Sequence, residues 1–221
     1  MIKYELYKRK QQFKRFVKKA LSFKPHYKTV KPYWVQKMPF KRIGNRVNFF
    51  ISQGKNKDVI HFGCTDWPIF NPNNNLHIQL AKHTKSIDGF DIDTEGLEIL
   101  KQYVNQNYYS TYDSIPEKKY HLCLVPETIE HVDNVRFFLE SVSRINAEKF
   151  IITAPNCFAR KRSKNFFIKN DEFIELVHPD HNCWFSPYTL KNTIEKYTTL
   201  KVTMIYLLEN DTMVCCEAIK S

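Results

Sequence analysis

Residues 57–67, with the sequence KDVIHFGCTDW, contain the strand and the turn from which the rest of the fold can be worked out. Val59, Ile60 and Phe62 form a short apolar run of strand-forming residues, and Gly63 ends it. Glycine at this point lets the backbone turn sharply or come close to a ligand. A strand that ends in glycine and leads to a helix is typical of a nucleotide-binding fold, although an ordinary strand–turn–helix unit gives the same pattern.

The distribution of charge divides the chain into two parts. Residues 1–46 hold 15 Lys or Arg against the single acid Glu5, a net charge of +14, whereas residues 47–221 hold 19 basic and 22 acidic residues, a net charge of −3. With 43% apolar residues in 221, the second part is long enough to bury one sizeable core. We therefore predict a basic extension over residues 1–46 and one domain over residues 47–221.

The basic extension is predicted to contain an amphipathic helix over residues 2–23, because its apolar residues recur at helical spacing and Lys and Arg fill the other face. Such a helix could cover the domain with its lysines in solvent, or contact phosphate, an acidic substrate or an anionic membrane surface. Six cysteines without C-x-x-C spacing, and no apolar run of about 18 residues, favour a cytoplasmic protein, with peripheral membrane contact left open.

From Asp58 onward, strand-like runs alternate with helical stripes. Strands are predicted at 58–62, 87–91, 119–125, 149–154, 200–207 and 212–218, with a weak segment at 108–111. Helices are predicted near 76–81, over 94–106 and over 134–145, the last with Asp133 as its N-cap. This alternation indicates an α/β fold with a doubly wound, mostly parallel sheet, which binds ligands at the carboxyl ends of its strands.

Polar residues follow several predicted strands at that edge. Asp91 ends the second strand, 28 residues after Gly63, near the spacing at which an acid binds ribose hydroxyls. It could instead cap the next helix, although Asp93 or Thr94 could fill that role. The other polar residues at strand ends are Cys64, Thr65, Asp66, Asp113, Ser114, Glu127, Glu130 and His131.

Five motifs, in this order, resemble those of class I S-adenosylmethionine-dependent methyltransferases, in particular the small-molecule and glycan group. They are VIHFGC at 59–64, GFDI at 89–92, ETIEHV at 127–132, APN at 154–156 and HNCWFSPYTL at 181–190. The resemblance implies a Rossmann-like seven-stranded sheet with an antiparallel last strand, and S-adenosyl-L-methionine as the cofactor.

The resemblance also implies which residues contact the cofactor. The expected contacts are Gly63, Cys64, Thr65 and Asp66 near the methionine part, Asp91 on the ribose, Ile92 against the adenine face, Asp113 or Ser114 at the adenine edge, and Pro126 with Glu127 at the methyl end.

The turn after the first strand departs from the family pattern. Where the family has a glycine-rich turn this chain has Cys64-Thr65-Asp66, and His61 stands where the family's strand carries an acid. The added Cβ atoms must change the path of the turn or hold the ligand farther away. Asp66 could bind the ligand's amino group, and residues 67–75, with two Pro and four Asn, have the composition of an inserted loop.

Methyl transfer from a sulfonium needs an aligned acceptor and a group that removes its proton. His131 is the first candidate base, with Glu130 beside it, and His181 is the second, in a loop that in the family overhangs the acceptor pocket. Glu130 and His131 could instead only shape the turn before the next helix. His178 and His181 around Asp180 give too weak a pattern to indicate a metal site, and we expect no metal.

Together these features predict a methyltransferase that acts on oxygen, or less readily nitrogen, of a small acceptor. The resemblance favours a saccharide or sugar phosphate in cell-surface glycan synthesis, with the basic residues 160–164 facing an anionic group; the alternative for this run is a solvated loop.

Two other functions are considered, an RNA methyltransferase that uses residues 1–46 as a phosphate-binding arm and a non-catalytic binding module. The acidic domain, and the lack of an Asn-Pro-Pro-Tyr element after the fourth strand, make nucleic acid the less favoured partner.

Overall fold

The computed structural model describes residue 31 and residues 34–160 and 165–221. The chain divides into two compact units, residues 1–37 and residues 38–221. The predicted N-terminal helix, and residues 161–164 of the basic run, lie outside the described residues. In the part of the chain that is described, no helix combines the length and the apolar character that crossing a bilayer requires.

Ten strands and five helices follow one another along the described residues from 38 onward. The strands are β1 (Lys41–Ile43), β2 (Asp58–Phe62), β3 (Ser86–Phe90), β4 (Tyr108–Tyr109), β5 (Tyr120–Val125), β6 (Ala147–Pro155), β7 (Phe166–Lys169), β8 (Glu172–Glu175), β9 (Leu200–Leu208) and β10 (Met213–Lys220). The helices are α1 (Arg46–Gly54), α2 (Leu76–Ala81), α3 (Thr94–Lys101), α4 (Val135–Arg144) and α5 (Pro187–Tyr197), with a short 3-10 turn at Tyr112–Ser114. The predicted strands from residue 58 onward are therefore confirmed to within two residues at each end.

Eight of the strands form one sheet in the order β1-β9-β10-β6-β5-β2-β3-β4, and β7 and β8 form a separate hairpin. Neighbours from β4 to β6 pair in parallel, and β10 is antiparallel to both β6 and β9. The prediction of a mostly parallel sheet with an antiparallel last strand is confirmed, but its count of seven strands is wrong. The eighth strand is β1, which pairs in parallel with β9 from Lys41 opposite Tyr206 to Ile43 opposite Leu208. Three residues of the predicted connector thus belong to the sheet.

Helices cover both faces of the sheet, as an apolar parallel sheet requires. On one face, α4 and α5 pack on alternate strand residues such as Ile60 and Cys123. On the other face, α1, α2 and α3 pack on the intervening residues, such as Val59 and Leu122. The alternation along each strand therefore divides the core into two layers, one on each side of the sheet.

Two predicted details of the helices are wrong. The N-cap of α4 is Asn134, whose side chain accepts a hydrogen bond from the N–H of Phe137, and not the neighbouring Asp133. Helix α3 ends at Lys101 and does not reach residue 106. Asp and Asn cap helices about equally well, so the sequence could not distinguish between adjacent candidates.

Candidate active site

The carboxyl ends of the parallel strands place the predicted site residues along one edge of the sheet. The segments that follow β2, β3, β5 and β6 begin at Gly63, Asp91, Pro126 and Asn156. A hairpin between β9 and β10 and the start of α1 lie at the same edge, because β1 and β9 run in the same direction as β6. Residues as far apart in the sequence as Arg46 and Glu209, which are separated by 163 positions, are thus brought to one surface.

The turn after β2 passes directly against the segment that follows β5. Gly63 has φ +70°, and its N–H donates to the carbonyl of Phe90 at 2.9 Å. A Cβ on Gly63 would lie 2.4 Å from Oγ1 of Thr128, far inside van der Waals contact. Glycine is needed here for both its left-handed backbone and its missing side chain. Asp66 also adopts a positive φ, 56°, a conformation that Asp tolerates better than most residues.

Asn75 fixes the glycine-poor turn in place. Its buried side-chain NH₂ donates to the carbonyl of Cys64 at 3.0 Å, the carbonyl of Thr65 at 3.3 Å and the carboxylate of Asp66 at 3.1 Å. Its side-chain oxygen accepts from the N–H of Ile78 and caps α2. The sequence analysis placed Asn75 only in the inserted loop, although an Asn before an apolar run is a common N-cap. Its contact with the turn was missed, because Asn75 lies ten positions after Thr65 across an irregular loop.

We expect Asn75→Asp to destabilise the domain by about 2 kcal/mol, because the new carboxylate would face three oxygen acceptors in place of a donor. The helix cap itself would survive, since Asp caps as well as Asn. Urea unfolding of the variant measures the loss. Asn134→Asp is the matched control: Asn134 caps α4 at an exposed position, and its replacement should change the free energy of unfolding by less than about 0.5 kcal/mol. Equal losses in the two variants would contradict the proposed role of the Asn75 amide.

Asp91 is held by the same turn. One carboxylate oxygen accepts from the N–H and the hydroxyl of Thr65, at 3.1 and 2.9 Å, and the other accepts from the N–H of Asp93 at 3.1 Å. Asp93, and not Asp91, caps α3, through the N–H of Gly96 at 3.0 Å. A carboxylate has about four lone-pair sites, so Asp91 retains about one for a ligand hydroxyl. This is compatible with ribose binding through one hydrogen bond.

Cys64 and Thr65 are both buried, so the turn offers a ligand mainly its backbone. Burial raises the pKa of the Cys64 thiol well above its usual range, and the thiol lies against Gly89. A Cβ on Gly89 would lie 2.9 Å from that sulfur and 2.7 Å from the ring of Tyr108. The added side chain at Cys64 is therefore accommodated in the core, away from the ligand edge.

The predicted adenine-side residues remain accessible. Ile92 is 80% exposed immediately after Asp91, and the ring of Tyr112 stacks on Phe90 at a centroid distance of 4.8 Å. Asp113 and Ser114 are exposed in the 3-10 turn after β4, where the Ser114 hydroxyl donates to the carbonyl of Thr111 at 2.7 Å. An exposed apolar side chain with a carboxylate nearby suits a flat base with an exocyclic amine.

Glu127 lies at the end of β5, after the buried Pro126, and has a positive φ of 45°. Its N–H donates to both the carbonyl and the hydroxyl of Thr153, and its carboxylate forms an ion pair with Arg46 at the start of α1. The charge of Arg46 also opposes the rise in the pKa of Asp66 that burial causes. Arg46 was missed by the sequence analysis, because it is one of 15 basic residues in the first 46.

The carboxylates of Asp66, Asp91 and Glu127 thus lie at the same edge of the sheet as the guanidinium of Arg46. S-adenosylmethionine carries a sulfonium and an ammonium group, which suit the carboxylates, and a carboxylate, which suits Arg46. The residues present therefore fit the cofactor that the sequence motifs imply.

Behind the turn, His61 and His77 form a buried pair. Their Nδ1 atoms are 3.2 Å apart, and their rings stack at 5.4 Å. Nε2 of His77 lies 3.4 Å from the hydroxyl of Tyr108, whereas Nε2 of His61 has no hydrogen-bond partner among the described residues. Burial lowers the pKa of His61 well below its usual range and that of His77 to about 3. Both imidazoles are therefore neutral at pH 7.

The two candidate bases lie side by side. The ring centroid of His131 is 4.6 Å from that of His181 and 5.2 Å from that of His178. Burial lowers the pKa of His131, the charge of His178 adds to this effect, and the charge of Asp180 opposes it. A neutral His131 is in the form that a base requires. Glu130 is only 1% exposed.

Hydrogen bonds fix the histidine-bearing loop to the segment after β5. The N–H of Asn182 donates to the carbonyl of Glu130 at 2.8 Å, and its side-chain NH₂ donates to the carbonyl of His131 at 3.2 Å. The thiol of Cys183 lies 3.9 Å from the carbonyl of Ile129. The positions of His131 and His181 relative to each other are thus set by the backbone.

A cleft of about 210 Å³ borders this loop. Trp184 is part of its wall and also packs edge-on against His181, with ring centroids 5.6 Å apart. The remaining lining residues come from the segment after β6 and the β7–β8 hairpin: Cys157, Asn165, Phe166, Glu175 and Leu176. The cleft is smaller than most ligand pockets and suits a single small ring.

No protein-family model and no curated protein matches this sequence. Solved structures do match its fold. A chain of the Pnkp1/Rnl/Hen1 RNA repair complex aligns at a TM-score of 0.58 and 15% identity over 79% of this chain, which spans only 41% of the length of that chain. A SAM-dependent methyltransferase from Aquifex aeolicus aligns at 0.56 and 13% identity, covering 80% of this chain and 88% of that one. The complex of DhpI with SAH aligns at 0.53 and 11% identity, covering 93% and 91%.

At these identities the matches establish the architecture, and the architecture is that of the class I S-adenosylmethionine-dependent methyltransferases. The resemblance inferred from the five sequence motifs is confirmed at the level of the fold. The small-molecule and glycan subgroup stays a prediction.

Proposed function

We propose that this chain is an S-adenosylmethionine-dependent methyltransferase that methylates an oxygen of a small acceptor. The observation that carries the proposal is the position of Asp91: it ends β3 in a sheet of this fold, is oriented by Thr65, and keeps about one acceptor site for a ligand hydroxyl. Ile92, Glu127 and Arg46 lie at the same edge.

The bound cofactor would supply an activated methyl group, so the protein has two tasks. The carboxylates and Arg46 at the edge would bind and orient the donor, which sets the line along which the methyl group leaves. The histidines on the other side of Glu127 would help to remove the proton of the acceptor hydroxyl. Glu127 connects the cofactor-binding residues to the histidines along the chain, because it follows β5 directly and His131 comes four residues later.

We propose a saccharide or sugar phosphate as the acceptor, as in glycan assembly. Trp184 and Phe166 give the cleft flat apolar walls on which a sugar ring could pack, and Asn165 and Glu175 give it polar groups for sugar hydroxyls. Arg160 lies in the segment after β6, at the same end of the sheet, where a cation would suit an anionic acceptor.

Calorimetric titration with S-adenosylmethionine and S-adenosylhomocysteine tests the function directly. We expect micromolar binding of both ligands, and a loss of about 100-fold in affinity in Asp91→Ala, because a charge-assisted hydrogen bond and the support of Thr65 are both removed. Ile92→Asp provides a second variant that cannot disturb the core, since Ile92 is 80% exposed. It should weaken binding about tenfold. Ile168→Asp, at a position 77% exposed on the hairpin, is the matched control and should leave the affinity unchanged.

Two outcomes would contradict the proposal. A folded protein that gives no heat with either ligand at millimolar concentration would indicate a non-catalytic module that kept the fold. Binding of single-stranded RNA that falls steeply with salt concentration and depends on residues 1–46 would indicate the RNA methyltransferase instead. The affinity for a sugar phosphate would fall only slightly as the salt concentration rises.

A further inference from the structure

Three histidines from two segments of the chain come together on the side of the candidate active site where we place the methyl acceptor. His131 follows β5, and His178 and His181 lie in the loop between β8 and α5. One nitrogen atom from each lies within 4.8 Å of the other two. We propose that His131, His178 and His181 bind one divalent transition-metal ion, with Zn²⁺ as the best fit. The sequence alone led us to expect no metal, because His131 lies 47 residues before His178 and the third ligand was not apparent.

The ligand set is one that transition metals prefer. Neutral imidazole nitrogen suits Zn²⁺, Co²⁺, Ni²⁺ and Cu²⁺, and three protein ligands with one open position are typical of catalytic zinc sites. Nitrogen atoms bound to one tetrahedral Zn²⁺ lie about 3.4 Å apart, given bonds of about 2.0–2.1 Å. The three rings need to move inward only slightly from their present separation. His178 is exposed, so its ring can rotate toward the other two without repacking the core.

The backbone of the site is already fixed. Asn182 ties the loop to Glu130 and His131, and the N–H of His181 donates to the carbonyl of His178 at 3.1 Å, which closes a tight turn around Asp180. Two atoms of Asp180 face Nδ1 of His178: its backbone N at 3.3 Å and a carboxylate oxygen at 3.8 Å. A carboxylate beside one ring nitrogen is the usual support for a histidine that binds a metal through the other.

The charge around the cluster also favours a cation. Glu130, which is only 1% exposed, directly precedes His131 in the chain. Asp180 supplies a second negative charge at the rim.

The role of the ion in methyl transfer rests on the function proposed above, whereas its binding does not. An acceptor hydroxyl at the open position of the ion would have a lowered pKa and lose its proton to solvent. Its oxygen would then form the new C–O bond with the methyl carbon as the C–S bond of the donor breaks, and sulfur would keep the electron pair. In this arrangement His131 acts as a metal ligand in place of a general base.

Metal binding can be measured without knowledge of the acceptor. Protein without a polyhistidine tag is titrated with Co²⁺, followed by visible absorption, and with Zn²⁺ by competition with a chromophoric chelator. We expect one ion per chain and the intense visible bands of four-coordinate Co²⁺, which Zn²⁺ displaces. His131→Ala and His181→Ala should each weaken Zn²⁺ binding by about 100-fold or more. His83→Ala is the matched control: His83 is exposed near the opposite end of the sheet, beside Asn56, and its loss should change nothing.

No Zn²⁺ binding below millimolar concentration, or an affinity that His131→Ala and His181→Ala leave unchanged, would overturn the proposal. The two proposals fail separately. Zn²⁺ binding without S-adenosylhomocysteine binding would leave the metal site standing and refute the methyltransferase, and the reverse result would refute only the metal site.

Discussion

Lowering the pH from 7 to 5 is expected to cost the domain about 4 kcal/mol of its free energy of unfolding through one buried pair, His61 and His77. Burial lowers the pKa of both imidazoles, that of His77 to about 3. In the unfolded chain each accepts a proton near pH 6.5. The unfolded state therefore binds more protons than the folded state below that pH, so stability is complete above about pH 7.5 and falls as the pH decreases toward the folded pKa. Each histidine contributes about 2 kcal/mol between pH 7 and pH 5.

Urea unfolding at several pH values between 5 and 8 measures this loss, and His61→Leu separates the pair from other titrating groups. At pH 7 the variant should lose only about 1 kcal/mol, because it removes the 3.2 Å contact between Nδ1 of His61 and Nδ1 of His77 but also an Nε2 atom that has no hydrogen-bond partner among the described residues. Between pH 7 and pH 5 it should lose about 2 kcal/mol less. His83→Ala, which removes an exposed histidine, should keep the full dependence. A His61→Leu curve parallel to that of the natural chain would mean that His61 is already protonated, or accessible to water, in the folded state.

Gly63→Ala is expected to lower the free energy of unfolding by about 3 kcal/mol, for two reasons that can be measured separately. The left-handed φ of +70° penalises any Cβ, and this Cβ would also collide with Oγ1 of Thr128 at 2.4 Å. In the double variant with Thr128→Ala the collision disappears, since the nearest remaining atom is Cβ of residue 128 at 3.4 Å. The double variant should therefore be more stable than the sum of the two single changes predicts, by about 1–2 kcal/mol.

Gly44→Ala is the control for this pair of variants. A Cβ on Gly44 would meet no atom within 4 Å, and its backbone has no positive φ. Its replacement should change stability by less than about 0.5 kcal/mol. Additive effects of Gly63→Ala and Thr128→Ala would show that the two segments do not touch as described.

The strands were predictable wherever a face is buried. In β2, β3, β5 and β6 the apolar pattern follows from burial on both sides of the sheet, so the sequence marks these strands clearly. The β7–β8 hairpin shows no such pattern, because seven of its eight residues are exposed and the eighth is only partly buried. Strand β1 is only three residues long and too short for any period to appear. Both were missed for the same physical reason, the absence of a buried face.

The candidate site was predictable one segment at a time, but its contacts were not. Asp91, Glu127 and His131 could be placed at strand ends from the alternation alone. The ion pair between Arg46 and Glu127 joins residues 81 positions apart, and Asn75 reaches back over an irregular loop to hold Thr65. His178 becomes a plausible ligand only when the fold brings it to His131. Contacts of this kind depend on tertiary packing, which the periodicity and spacing of residues in the sequence do not predict.

The pairing of β1 with β9 bears on how the protein avoids association with itself. An uncovered β9, a strand of nine residues already paired with β10 on its other side, would present its outward-facing N–H and C=O groups to any other extended chain. Strand β1 covers part of that edge with a segment that is short and carries Lys41 and Arg42, the latter bonded to Asp211. Short, charged outer strands discourage further strands from adding. A truncated protein that begins near residue 46, where the basic extension ends, would lack strand β1. We expect that protein to aggregate, whereas a truncated protein that begins at residue 38 keeps β1 and should stay in solution.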